Sequence, residues 1–244
     1  MNFDDPFEAA KADALIIGFF YMLRPGEHTW DRKNNHPFRF CDVSFSQDAA
    51  ASMNAVTISD AAMDAATRVF LNFTTQKNGE KDEAITHGST LDPRLNPVAA
   101  VRRRVQHLRL HHAPPDTPLY YTVFLSSGAH KNILSSHLTS ELRLSCAELG
   151  DSLGIYPREI SARALRAGGA MALILAKIDP TLVKLMGRWK SDIMLRYLHR
   201  SALHTADFAA AMLHHGAFII PRHQALPAAA QDLLDSVAFT PLAD

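Results

Sequence analysis

The stretch from Ile160 to His199 limits the fold more than any other part of this chain. It reads ISARALRAGGAMALILAKIDPTLVKLMGRWKSDIMLRYLH. Apolar residues recur at helical spacing on both sides of Asp179-Pro180, which predicts two helices joined by a tight turn. Arg166 sits near the start, Arg188 and Trp189 at a break, and Tyr197 near the end. Helices that only filled a core would not need guanidinium groups and a phenol placed this way. Met171, Leu173, Ile174, Leu182, Leu185, Met186, Met194 and Leu195 are the expected packing residues. Gly168-Gly169 lies inside the first helix, where each glycine costs up to about 1 kcal/mol relative to alanine. That cost points to close helix packing or close approach to a ligand.

The upstream half reads as mixed helix and strand. Phe7 to Leu23 has a helical apolar face of Ala10, Ala14, Ile17 and Tyr21, ended by Pro25-Gly26. Arg24 and Glu27 then sit at a helix end, as a surface pair or as an anion-binding arginine fixed by an acid. Phe38–Phe45 alternates apolar and polar, Met53–Ile58 is a second short strand, and Asp60–Thr67 holds a helical turn or two. Val69–Thr75 and Glu83–His87 form a hairpin around Asn78-Gly79, with Lys77 at its tip. Asn96–Leu110 is a helix with Val98, Val101, Val105 and Leu108 inward and with Arg102, Arg103 and Arg104 pointing several ways, at least one of them to solvent. Leu119–Leu125 is extended, which places Tyr120 and Tyr121 in the core. Ser135–Leu149 is a helix with Leu138, Leu142 and Cys146 or Leu149 inward. A helix over Ala202–His214 and a tail from Pro221, with a short helix over Ala228–Ala238, complete the chain. The expected class is α+β, mainly helical, with a small antiparallel sheet in the first half. Strands and helices do not alternate as βαβ units, which argues against a Rossmann-type sheet. No glycine-rich Lys-Ser phosphate loop is present.

Charge refines the expectation. Lys and Arg number 25 and Asp and Glu 25, so the formal net charge is zero. A nucleic-acid binder needs basic surface, and the total argues mildly against one. The distribution offsets it, because Pro157–Arg200 carries nine Lys or Arg against three Asp or Glu. Arg102, Arg103 and Arg104 form a second basic cluster. His107 and His111 lie four apart without a third ligand nearby, and read as surface histidines rather than a metal pair. Two cysteines, Cys41 and Cys146, make no disulfide framework and fit a reducing, intracellular setting. No run of about 18 uncharged apolar residues occurs, so no membrane-spanning helix is expected.

Arg24, Lys77, Arg163, Arg166, Arg188, Trp189 and Tyr197 together are the groups a phosphodiester site would use. Arginine offers a planar fork that never loses its charge, suited to the non-bridging oxygens. Two arginines from distant segments can stabilise the charge that develops in the transition state. A phenol, with a pKa of about 10, becomes a better nucleophile beside cations. A mobile lysine can supply the proton that the leaving sugar oxygen needs.

The order of these motifs resembles the tyrosine recombinases, or phage-type integrases. MLRPGE resembles the family's first catalytic arginine and its supporting acid, Arg24 and Glu27. FTTQKNG resembles the hairpin lysine, Lys77. RALRAGGA resembles the His-x-x-Arg box, with Arg163 where histidine usually stands and Arg166 as the second arginine. LMGRWKSDIMLRYLH resembles the segment that ends in the nucleophile, Tyr197. Nine residues before Tyr197 lies Arg188, and one residue later Trp189; the family places a hydrogen-bond donor to the phosphate there, a role read slightly in favour of Trp189. The resemblance runs from about Ala10 to about Gly216. It implies a recombinase-like catalytic domain over 1–220 and a tail over 221–244, with either the helix after Tyr197 or this tail expected to dock on a neighbouring subunit. It further implies double-stranded DNA as partner, a homo-tetramer on paired sites, a covalent 3′-phosphotyrosyl intermediate, a source in a mobile element, and no metal or nucleotide cofactor. The compartment would be the nucleus in a eukaryote and the cytoplasm in a prokaryote. Family members generally carry an N-terminal clamping domain, which is expected either to precede this chain or to be missing. Two further readings stand beside this one: a DNA-binding or interaction domain that keeps the fold without turnover, motivated by Arg163 and the neutral charge, and a plain helical interaction protein.

Overall fold

The computed structural model describes residues 4–30, 37–47, 51–74, 83–149 and 155–190. Helix α1 (Pro6–Phe20) begins at Asp5, whose carboxylate accepts the N–H groups of Phe7 and Glu8, while Pro6 occupies a first-turn position that needs no donor. Its buried face is the expected one: Ala10, Ala14 and Ile17, continued by Tyr21 beyond the last turn. The helix stops at Phe20, three residues before the expected end. Pro25 does not terminate it. Instead Pro25 opens a separate short helix, α2 (Pro25–His28), for which Arg24 is the N-cap residue. The reason lies in Met22, which takes a left-handed conformation (φ 47°) and turns the chain.

A four-stranded antiparallel sheet follows, in the order β2-β1-β3-β4. Its strands are β1 (Val43–Ser46), β2 (Met53–Asn54), β3 (Arg68–Phe73) and β4 (Glu83–Gly88). Helix α3 (Asp60–Asp64) lies between β2 and β3, capped by the Ser59 hydroxyl. Val69, Leu71 and Phe73 alternate inward on β3, the period a half-buried strand requires. β1 pairs with β3 through Val43 opposite Leu71 and Phe45 opposite Val69. The expected strand over 38–45 is only half a strand. Phe40–Asp42 forms a 3₁₀ turn, because the Asp42 carboxylate folds back onto the Arg39 N–H and guanidinium.

Helix α4 (Pro97–Leu110) packs on α1 and on the sheet. Val98, Val101, Val105 and Leu108 are fully buried, as their spacing predicts. Arg102, Arg103 and Arg104 of this helix point several ways, as expected, with Arg103 exposed, Arg102 half-buried and Arg104 buried. Arg104 is buried and donates to the carbonyls of Leu119 and Thr122. Arg103 pairs with Asp13 of α1, and Arg102 donates to the Ala66 carbonyl. These guanidinium groups tie helices to loops. The two histidines also differ from expectation: the His107 ring accepts the Phe124 N–H at 2.9 Å, and His111 stacks on the Phe124 ring. Burial, with Arg104 and His111 adding to it, lowers the His107 pKa to about 4.

A second antiparallel pair, β5 (Thr122–Phe124) and β6 (His130–Asn132), leads into α5 (Ser135–Leu149). The returning strand β6 is exposed and polar, so no apolar alternation marks it in the sequence. Leu138 and Cys146 are the buried positions of α5, whereas Leu149 faces solvent. Tyr120 and Tyr121 are core residues, as expected. Helices α6 (Ala164–Leu175) and α7 (Pro180–Met186) follow, and the Asp179 carboxylate caps α7. Leu182 and Leu185, expected in the core, are exposed on α7. Gly169 explains the helical glycine pair: a Cβ there would meet the Phe19 carbonyl oxygen at 2.4 Å, so α6 crosses α1 in direct backbone contact. Both cysteines are free thiols. No helix among the described residues is long and apolar enough to cross a membrane.

The described residues fall within one compact unit. The hairpin tip with Lys77, the segment carrying Tyr197, the helix expected over Ala202–His214 and the boundary expected after residue 220 all lie outside the described residues.

Candidate functional site

The site is built around one short turn of chain, Tyr21 to Glu27. Met22 turns the backbone out of α1, and its carbonyl points back toward α6 and the end of α7. The α1–α6 contact at Gly169 brings Arg166 against this turn. Arg166 donates from Nη1 to the Met22 carbonyl at 2.5 Å and from Nη2 to the Gly187 carbonyl. Its guanidinium also lies over the Trp189 ring, 4.2 Å from the centroid, a geometry that favours a cation.

The end of α7 explains the Gly187-Arg188-Trp189 sequence residue by residue. The N–H of Trp189 bonds the Lys184 carbonyl and that of Arg188 the Leu185 carbonyl, the paired bonds of a Schellman ending. In that motif the residue at the Arg188 position adopts a left-handed conformation and is usually glycine. Here it is an arginine at φ 56°, a conformation that costs a non-glycine residue about 1–3 kcal/mol. Gly187, just before it, is required for a different reason. A Cβ on Gly187 would sit 1.6 Å from the Trp189 ring. Trp189 packs with Met22, Ala170 and Val183, and meets Arg166 through its ring face.

Glu27 collects the remaining charges. Its Oε1 accepts Nη1 of Arg24 at 2.9 Å, and its Oε2 accepts the Arg24 backbone N–H at 2.7 Å and Nη2 of Arg188 at 3.0 Å. Burial pushes its carboxyl pKa up, but Arg188, Arg24 and the Arg24 N–H outweigh burial and hold it below the ordinary value. Arg188 further donates to the Tyr21 and Met22 carbonyls and lies over the Phe73 ring at 4.0 Å. Arg166 of α6 and Arg188 at the end of α7 therefore share one carbonyl oxygen, that of Met22.

Beneath this turn lies His28. Its Nδ1 is 3.0 Å from the Arg24 carbonyl. A carbonyl only accepts, so Nδ1 carries the proton and Nε2 is a buried acceptor without a partner among the described residues. Burial lowers the His28 pKa to about 4, against the Arg24 carbonyl and Glu27, which raise it.

The structure thus brings together Arg24, Glu27, Arg166, Arg188 and Trp189 from three separate stretches of sequence. Arg163 lies at the N-cap position of α6, exposed, with no side-chain partner among the described residues. Sequence reasoning missed Phe73 and His28. Phe73 read as an ordinary strand residue, and no sequence signal distinguishes it. His28 had a weak signal, being adjacent to Glu27 within a helix too short to register as one.

Chemically, the cluster concentrates guanidinium groups around a backbone turn and orients one of them, Arg24, with a buried carboxylate. Arg24 is the partly exposed guanidinium of the three, whereas Arg166 and Arg188 are buried and donate to backbone carbonyls and, for Arg188, to Glu27. No protein-family model matches this chain, and no curated protein matches it. Among solved structures, the integrase of transposon Tn1549 in complex with a circular intermediate DNA is similar at 12% identity and a TM-score of 0.39, over 82% of this chain. The chain spans 58% of that integrase chain, and likeness at this level leaves the function to be argued from the site itself.

Proposed function

We propose that this chain is the catalytic domain of a DNA strand-exchange enzyme of the tyrosine-recombinase kind. The observation that carries the reading is the packing of Arg166 and Arg188 against the turn that holds Arg24, more than a hundred residues upstream of both. The motif order in the sequence supports it independently. In this reading Arg24 and Arg166 hold the non-bridging oxygens of one phosphodiester, Arg166 by exchanging its bonds to the Met22 and Gly187 carbonyls for the phosphate. The Tyr197 phenol gives its proton to water, and its oxygen attacks phosphorus. The P–O bond to the 5′ oxygen of the next nucleotide breaks, and that oxygen takes a proton from Lys77. The 3′-phosphotyrosyl bond keeps the energy for rejoining to another strand, and a second strand's 5′ hydroxyl reverses the step. Paired sites and a tetramer follow from exchanging two duplexes.

The test uses a duplex selected by binding from a random library, nicked so that a short cleaved fragment diffuses away. The wild-type chain is expected to form a covalent protein–DNA adduct that Tyr197→Phe abolishes. Absence of an adduct on a duplex the protein binds tightly would sink the reading. It would favour a domain that binds DNA without turnover, a reading that the exposed position of Arg163, where the family usually has histidine, makes concrete.

A further inference from the structure

We propose that Arg188 is a positioning residue that sets the Arg24 side chain through Glu27. Its consequence for catalysis rests on the strand-exchange reading above, but the contact network itself is measurable without DNA.

Arg188 occupies a backbone position that glycine fills best, so the side chain must compensate for the conformation. Every described contact of that side chain points inward. The guanidinium lies between the Phe73 ring and the Glu27 carboxylate, and donates to the carbonyls of Tyr21, Met22 and Met186. The residue is 4% exposed. Glu27 is then held from two sides, by Arg188 on Oε2 and by the Arg24 guanidinium on Oε1. With Oε2 fixed, Oε1 has one orientation left, and it directs Arg24. Without Arg188, Glu27 would lose its most buried cation and its rotamer constraint. Arg24, whose side chain is about a quarter exposed at 25%, would then sample other orientations. Arg188 also joins three elements at one point: the turn before α2, the end of β3 at Phe73, and the end of α7.

The discriminating variant is Arg188→Gly. Glycine relieves the left-handed backbone, so a purely structural role at the helix end predicts a folded protein with an unaltered Arg24. Two measurements on the full chain decide the matter. The first is the Arg24 Nη–H signal in a low-temperature spectrum of ¹⁵N-arginine-labelled protein, assigned by its loss in Arg24→Lys. It is expected sharp and slowly exchanging in the wild type, and broadened or lost in Arg188→Gly and in Glu27→Gln. The second is a cycle of adduct formation rates at saturating DNA. Misplacing a clamp group typically costs about ten- to a hundredfold in rate, so each single variant should slow cleavage by about that factor, with the double variant no slower than the worse single. An unchanged Arg24 signal in Arg188→Gly overturns the proposal, and so do multiplicative effects in the cycle, which would mean that Arg188 acts on the phosphate directly. Should Arg188→Gly fail to fold, Arg188→Lys carries both measurements, with the same direction and a smaller size, because lysine keeps the charge beside Glu27 but cannot span Phe73 and the carbonyls at once. If the wild type forms no adduct, the strand-exchange reading has failed, and the Arg24 signal alone decides whether Arg188 positions it.

Discussion

At the residue scale, the account turns on Glu27, a buried carboxylate shared by two arginines. Removing it leaves Arg188 buried beside Tyr21 and Met22 with its cation uncompensated. Glu27→Ala should therefore cost about 3–5 kcal/mol, the usual range for breaking one side of a buried pair, read from urea unfolding at neutral pH. Its pH dependence has a definite sign. The folded pKa lies below the ordinary value of 4.5, so the stabilisation is present above about pH 4.5 and is lost as pH falls through the folded value. His28 adds to the loss at higher pH. Its pKa falls from 6.5 to about 4 on folding, so the unfolded chain binds more protons between those values and stability declines as pH drops through that window. In His28→Leu the slope across the window should flatten by up to about 1.4 kcal/mol per pH unit, read from unfolding curves at several pH values. His107, also lowered to about 4, should keep a residual slope in that variant. If His28→Leu has the wild-type slope, His28 is not the buried neutral group described above.

At the scale of elements, two glycines set how close the helices come. Gly187 lets the Trp189 ring fold back against the end of α7, and Gly169 lets α6 touch the Phe19 carbonyl. Gly187→Ala should displace Trp189 from the Arg166 guanidinium and lower the melting temperature by several degrees, since overpacking usually costs about 1–3 kcal/mol. The Trp189 fluorescence should shift toward that of a more exposed indole. The arginines of α4 give the opposite kind of prediction. Arg103→Met should lower stability by breaking the bond to Asp13, while DNA affinity and its salt dependence stay as in the wild type. A reduced salt slope would show that α4 faces DNA after all. The same helices show what was legible in the sequence. The inward faces of α1 and α4, the break between α6 and α7 at Asp179-Pro180 and the pairing of β3 with β4 follow from periodicity and turn chemistry. The short helix α2 was hidden because four residues cannot show a period, and Pro25 reads as easily as a stop as a start. The strand over 38–45 was overextended because Asp42 folds back onto Arg39 locally, a competition that alternation cannot reveal. That Arg104 is the buried member of the Arg102, Arg103 and Arg104 cluster was not legible, because sequence does not show which backbone carbonyls lie within reach of a long side chain.

At the scale of the whole molecule, a chain with zero net charge gathers guanidinium groups at one place by folding distant segments together. Arg24 and Arg166 were recognisable from their motifs, and so was the pairing of Arg24 with Glu27. The division of labour between Arg188 and Trp189 was not, since it depends on the left-handed turn after α7 and on Phe73 from the sheet. The central claim is that this cluster serves a phosphodiester attacked by Tyr197. Its most direct test is to trap the protein on a nicked duplex it binds, digest it with trypsin and nuclease, and locate the remaining nucleotide by mass spectrometry. The account predicts a single modified peptide, Tyr197 to Arg200, released after Arg196, and its loss in Arg166→Ala at DNA concentrations that restore binding. A nucleotide on any other residue, or an adduct at Tyr197 that forms equally well without Arg166, would contradict it.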